Sequence, residues 1–273
     1  MLLISLAGVL AYWILGLSTS DLWPTGERLK SAQSFFAAAL DPALEYEALA
    51  DLPAGTPSFL DRLGLAVWRT LVFALAAWSL ALACAVPLGF CASTAFWTRR
   101  DDVTDRFGLR GFPRVVLVST RTLIIGLRSV HELLWAVLLL AALGLSPGTA
   151  VIALALPFTG TLAKVFSELL DEVALSSADA LRATGARPWQ VFAFGVVPRA
   201  LPDMLAFSFY RLECSVRASA VLGFFGFETL GYYLRLSFEN LHYREVWTFL
   251  YALIAMVVLL EAWSGRLRRR FVA

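Results

Sequence analysis

Apolar residues gather in six runs, at about 2–17, 67–92, 115–145, 149–166, 200–224 and 246–263, parted by charged or turn-forming stretches. A bilayer core about 30 Å thick is crossed by about 20 mostly apolar residues in a helix, so each run reads as one span. The first run is short and lacks both the basic n-region and the small-x-small cleavage site of a secretory signal, which favours a retained anchor. Polar residues interrupt the third. Only Ser146-Pro147-Gly148 separates the third from the fourth, a tight turn that predicts an antiparallel helical hairpin. Between the first two runs, Glu27 to Leu40 reads as a short helix with Phe35, Phe36 and Leu40 as its apolar patch, ended by Asp41-Pro42. It is expected on the outer membrane surface or as a small cap packed over the bundle. The resulting division is an anchor and extracytoplasmic segment over 1–66 and a transmembrane core over 67–273, with a loop at about 167–199.

Composition agrees with a membrane protein. Of 273 residues 59% are hydrophobic and 16% charged, too apolar for a water-soluble domain of this size. Lys30 and Lys164 are the only lysines, and a net charge of +2 gives no ground for binding nucleic acid. Arginine placement sets the expected orientation. Arg99, Arg100, Arg106, Arg110 and Arg114 lie in 98–114, Arg182, Arg187 and Arg199 in 167–199, and Arg266, Arg268, Arg269 and Arg270 in the tail. Six alternating spans put all three groups on one side, which is cytoplasmic by the positive-inside rule, and both termini with them.

The three cysteines form no C-x-x-C, and two histidines offer no zinc cluster. Cys84 and Cys91 on one helix face would lie about 10 Å apart along the axis, beyond disulfide reach. No G-x-x-x-x-G-K-[ST] phosphate loop, G-x-S-x-G elbow or H-E-x-x-H zinc helix occurs. Energy for any work this chain does is therefore expected from a partner.

The most informative stretch runs from Ser176 to Gln190 on the arginine-rich side. Ser176 with Asp179 three residues on is a capping-box-like start, Gly185 suits a left-handed stop, and Pro188 suits the first turn of a following helix. Leu175, Ala178 and Leu181 recur at helical spacing. Here the chain resembles the permease subunits of bacterial ABC importers, whose cytoplasmic loop reads E-A-A, three residues, G, nine residues, I-x-L-P. The aligned residues are Asp179, Ala180, Leu181, Gly185, Gly195, Val197 and Pro198. Asp for Glu, Leu for Ala and Gly for Ile are departures. The resemblance implies a type I, MetI-like permease fold and a coupling helix docked on a nucleotide-binding subunit.

From about residue 30 onward the chain is similar to the phosphonate-type branch of that family. Phe35 to Leu44 followed by Glu45-Tyr46-Glu47, Leu127 to Glu132, Ala180 to Gly185, Tyr210 to Ala218, Val221 to Phe224 and Tyr243 to Val246 carry this likeness. It implies import of phosphonate, phosphite or hypophosphite across the bacterial inner membrane. It further implies a pair of ATP-binding subunits holding ATP and Mg, a periplasmic binding protein and a second permease copy, with lipid around them. No cofactor is expected in this chain. Relatives carry G-A-G-G-I-G where this chain has Gly226-Phe227-Glu228-Thr229-Leu230-Gly231, so the central glycines are missing here. An ion-coupled secondary transporter would need repeated halves, of which the sequence shows none, and a membrane enzyme would need a nucleophile-base pair or haem histidines. A permease for another small solute stays open.

Arg211, Glu213 and Arg217 lie in the fifth run and Arg121, Arg128 and Glu132 on one stripe of the third, each costing about 2.5–3.5 kcal/mol if left facing lipid at a helix centre. Helical spacing puts Glu213 and Arg217 on one face and Arg211 on another. Pairing of Arg128 with Glu132 and of Glu213 with Arg217 would hold the bundle in register; alternatively, one or more arginines attract a tetrahedral oxyanion. His131 reads as a packed or interfacial residue.

Overall fold

The computed structural model describes residues 2–16, 26–47, 57–98, 111–173, 180–181 and 183–271. Within them the chain forms α1 (Leu2–Ile14), α2 (Glu27–Ala38), α3 (Phe59–Ala92), α4 (Thr94–Thr98), α5 (Phe112–Ser129), α6 (Glu132–Leu143), α7 (Pro147–Glu172), α8 (Pro188–Phe225), α9 (Leu230–Glu239) and α10 (Tyr243–Phe271). All the regular structure among these residues is helical.

Helices α3, α7, α8 and α10 are long and apolar enough to cross a membrane; α5 and α6 make a fifth span if the two are counted together. They are bent by 91° at their junction, which corrects the reading of 115–145 as one helix. The cause is local. Val130 is extended (φ −103°, ψ 132°), and His131 is the N-cap of α6, its Nδ1 accepting from Leu133 N at 3.3 Å. The Leu127 carbonyl, released at the end of α5, accepts from the Trp135 indole at 3.2 Å, so the break leaves no orphan there. At 13 residues, α1 is about 20 Å long, short of the bilayer core. Helix α3 starts at Phe59, so position 66/67 falls inside a helix.

The core is built around α7. The apolar window of α7 is 67% buried, against 22% for that of α3. A stripe of small residues on α3, Ala66, Thr70, Ala74, Ala77, Ala81, Ala85, Gly89 and Ala92, is buried. Without a hydrophobic drive between helices in lipid, close backbone approach and van der Waals packing hold them, and small side chains permit it. A Cβ at Gly89 would lie 2.9 Å from the Phe166 Cβ, and one at Gly160 2.8 Å from the Leu127 Cβ. Ser146 caps α7 through Thr149 N (3.1 Å) with Pro147 in the first turn, so α6 and α7 form the expected hairpin.

Helix α8 is 38 residues long and begins twelve residues before the run at 200–224. It starts as an α-turn at Pro188–Gln190, widens to a π-turn over Val191–Val196, runs as α-helix over Val197–Val221 and tightens to a 3-10 turn at Leu222–Phe225. Pro198 has no N–H to donate; in the π-turn before it, Val197 N reaches back to Phe192 O. Polar bonds tie α8 to α3: Ser215 Oγ donates to Ala74 O and Ser219 Oγ to Thr70 O, both at 2.9 Å, and Trp78 Nε1 to Ser208 O at 2.9 Å.

Helix α2 packs against α10 as a cap. The Phe35 ring centroid lies 5.2 Å from that of Trp247, whose indole donates to Phe35 O at 2.7 Å, while Phe36 and Leu40 stay exposed. Cys84, Cys91 and Cys214 are free thiols.

Candidate coupling and translocation site

The loop turn forms as its residues demand. Ala180, Leu181 and Ala183 are helical, and Gly185 takes φ +80°. Ala186 N then reaches back to Leu181 O at 3.3 Å, the six-to-one bond of a Schellman stop. Two residues on, Arg187 (φ −66°, ψ 150°) caps the start of α8, its N–H donating to the Gln190 side-chain oxygen at 2.9 Å. A Cβ at Gly185 would meet nothing within 4 Å, so only the backbone angle demands glycine. Trp189 and Phe194 stand exposed just beyond the turn. Asp179, Ser176, Leu175, Ala178 and Arg182 lie outside the described residues, as do Arg99, Arg100, Arg106 and Arg110. Pro198 sits in the first turn of the α-helical part of α8, joined to the loop turn by continuous helix.

The intramembrane charges are arranged differently from the sequence expectation. Arg211 on α8 lies over the Phe158 ring of α7, 4.4 Å from its centroid, and its buried Nε has no hydrogen-bond acceptor among the described residues. Burying a guanidinium on an aromatic face recovers part of its lost hydration. Glu213 is buried at 8% exposure, whereas Arg217 is exposed and directs Nη2 to the Cys214 sulfur at 3.4 Å rather than to Glu213. Arg128 is exposed at the end of α5, and the break after it separates it from Glu132. Among the described residues no ion pair joins Arg128 to Glu132. Glu132 and His131 instead line a small cavity of about 60 Å³ with Leu154 of α7 and Ala218, Val221 and Leu222 of α8. Arg121, seven residues before Arg128 on α5, is engaged elsewhere, its Nε donating to Ala92 O at 3.0 Å and its Nη2 to Asp171 at 3.5 Å.

Beyond α8 the chain turns at Gly226 (φ +100°) into α9. Leu230 N donates to Thr70 Oγ1 at 3.0 Å and Thr229 Oγ1 to Ala220 O at 3.0 Å. A Cβ on Gly231 would lie 2.1 Å from Ala220 O, and one on Gly223 2.0 Å from Tyr232 N. The close crossing of two chain segments therefore rests on Gly223 and Gly231.

Among the described residues the chain thus joins four to five apolar spans to a helix-glycine-helix turn that leads into the longest of them. The family described as binding-protein-dependent transport system inner membrane component matches residues 107–272. This chain belongs to that family. The phosphite transport system permease protein PtxC of Stutzerimonas stutzeri is 38% identical over 157 residues, 58% of this chain and 57% of that protein. The phosphate-import permease protein PhnE of Mycolicibacterium smegmatis is 32% identical over 152 residues, 56% of this chain and 29% of that protein. The matches thus span little more than half of the first relative and less than a third of the second. A chain of the MetNI methionine ABC transporter in an inward-facing conformation superposes with a TM-score of 0.62 at 20% identity, covering 78% of this chain and 97% of that one. A chain of an amino acid ABC transporter crystallised with histidines gives 0.64 at 14% identity, covering 78% and 95%. These likenesses establish the fold of this chain, all-α and MetI-like.

Sequence reasoning passed over Asp171, Thr70 and the Gly223–Gly231 pair. Acidic residues crowding the C-terminal end of an apolar helix, where the macrodipole disfavours them, are a signal that could have drawn attention to Glu168, Asp171 and Glu172 together. The partners of Asp171 are 50 to 78 positions away in sequence and leave no local trace.

Proposed function

We propose that the chain is the transmembrane permease subunit of an ATP-driven importer for a small phosphorus oxyanion: phosphonate, phosphite or hypophosphite. The carrying observation is the glycine-stopped turn at Gly185 that leads, across Ala186 and Arg187 alone, into α8. It supports a loop that docks on a separate ATP-binding subunit and moves a transmembrane helix when ATP and Mg turn over there. The names of the relatives support the substrate class. A periplasmic binding protein would deliver the anion on the side of residues 26–47 and α9, and a second copy of the chain would complete the pathway in the bacterial inner membrane, both termini in the cytoplasm. Exposed Arg128 and Arg217, guanidiniums with no carboxylate partner among the described residues, suit an oxyanion on that path; Arg211 is held by Phe158.

The complex reconstituted in liposomes with its ATP-binding subunit and binding protein is the decisive test. ATP hydrolysis and uptake should be stimulated by phosphonate, phosphite or hypophosphite more than by phosphate. Stimulation by none of them, or uptake that proceeds on an ion gradient without ATP, refutes the reading. For orientation, a chain lacking Cys84, Cys91 and Cys214 should be labelled from outside at cysteines placed at Ser34 or Asn240 and not at Arg187.

A further inference from the structure

Asp171 stands in the last turn of α7, two residues before its C-cap Val173 and at the entrance to the loop that ends in the Gly185 turn. Its carboxylate gathers donors from three other elements. Oδ1 accepts from Ser93 Oγ at 2.7 Å and from Ala95 N at 2.9 Å; Oδ2 accepts from Thr94 N at 3.2 Å and from Arg121 Nη2 at 3.5 Å. Arg121 also donates from Nε to Ala92 O, the last residue of α3, at 3.0 Å. Trp97 closes the same corner by donating to Cys91 O at 2.7 Å. A negative charge at a helix C-terminus opposes the helix dipole, so Asp171 is placed against the preference of its own helix and in favour of its neighbours.

Two of these neighbours, α3 and α5, lead toward the candidate pathway. Helix α3 runs from this corner along α7 and bonds to α8 at Ala74 and Thr70. Helix α5 runs from Arg121 to the break at Val130, beside Arg128 and Glu132. We propose that Asp171 is a positioning residue that passes movement of the coupling loop to α3 and α5, so that ATP turnover is tied to passage of the anion. This rests on the reading of the chain as the permease of an ATP-driven importer.

The test measures uptake per ATP hydrolysed in the reconstituted complex. Wild-type complex showing no ATP-dependent uptake of any of the four anions would defeat the underlying reading, separately from this proposal. With wild type active, Asp171→Asn should assemble and hydrolyse ATP while uptake per ATP falls by about tenfold, the scale of losing a charged acceptor. Asp171→Glu should restore much of the ratio. Arg121→Gln and Ser93→Ala should lower it by smaller factors, and Asp171→Asn with Arg121→Gln together should be no worse than Asp171→Asn alone. Asp203→Asn, which removes an exposed carboxylate on α8, should leave the ratio unchanged. An unchanged ratio in Asp171→Asn, or uptake that falls only in step with assembled protein, overturns the proposal. If Asp171→Asn fails to assemble, Arg121→Gln and Ser93→Ala decide: a wild-type ratio in both overturns it, and a lowered ratio in either supports it.

Discussion

At one end of the molecule Glu245 on α10 is 6% exposed and accepts from Glu47 N at 2.9 Å and Ser237 Oγ at 2.8 Å. Around it Tyr46, Phe59, Phe249 and Tyr233 form a ladder of rings 5.3–5.8 Å apart, and the Arg62 guanidinium lies over both tyrosines at 4.9 and 5.5 Å. At the other end Asp171 has a side chain 24% exposed, the Gly185 turn has open space around it, and Trp189 and Phe194 face outward. Buried bonds and interlocked rings cost much to break and fix one arrangement. Polar bonds within reach of water are cheap to break and remake. The proposed function asks for both: one end that keeps the bundle in register and another free to respond to a partner.

That contrast fails if damage at the two ends has the same phenotype. The largest effect is expected from Gly231→Ala or Gly223→Ala, because each added Cβ meets backbone at 2.1 or 2.0 Å and backbone cannot yield as a flexible side chain can. The cost should exceed about 3 kcal/mol, seen as loss of detergent-stable protein; normal yield would show that the crossing is not tight. Glu245→Ala comes next. It leaves the Glu47 N–H and Ser237 hydroxyl without their acceptor, about 1–3 kcal/mol for a buried donor, and should lower the thermal midpoint while uptake per ATP in the surviving protein stays at the wild-type value. Gly185→Val should do the reverse: backbone strain of about 1 kcal/mol or more with no clash, hence normal insertion and only a small loss of thermal stability, but ATP-driven uptake lost. Normal uptake would remove the role given to the turn.

Smaller effects sharpen the picture between the two ends. Arg211→Gln should cost about 1–2 kcal/mol of stability through its lost aromatic contact, whereas Arg217→Gln should assemble normally and lose uptake. Full uptake in Arg217→Gln would exclude an obligatory contact with the anion. The smallest effect is at high pH. Burial raises the Tyr46 and Tyr233 hydroxyls above the ordinary 10.0, against the pull of Arg62. A folded state that holds these protons more tightly is favoured below pH 10 and loses that advantage as pH rises through the raised values. Tyr46→Phe should therefore shift the alkaline limb of a thermal-midpoint curve slightly upward.

Much of the scaffold was legible because it is local. Apolar runs set the long helices, Ser146 and Pro147 begin α7, and Gly185 with Pro188 specifies a stop and a restart within four residues. Arg121 shows where local reasoning ends: helical spacing groups it with Arg128 and Glu132, yet α3 supplies it a carbonyl and α7 a carboxylate. His131, read as packed or interfacial, caps a helix because the chain breaks before it.

By itself the sequence determined that this is a multi-pass helical membrane protein with a glycine-stopped turn at Gly185, because hydrophobic length, caps and turns are decided by neighbours within a turn or two of chain. Only the tertiary structure decided which charges meet, where the third run breaks and which glycines cannot be replaced. Those outcomes depend on groups brought from 29 to 198 positions away: a carbonyl at Ala92 for Arg121, donors from Ser93 to Ala95 for Asp171, Glu245 for the Glu47 amide. In a medium without water each polar group must find its partner inside the bundle, and the helix packing that brings those partners together is set by the whole chain at once.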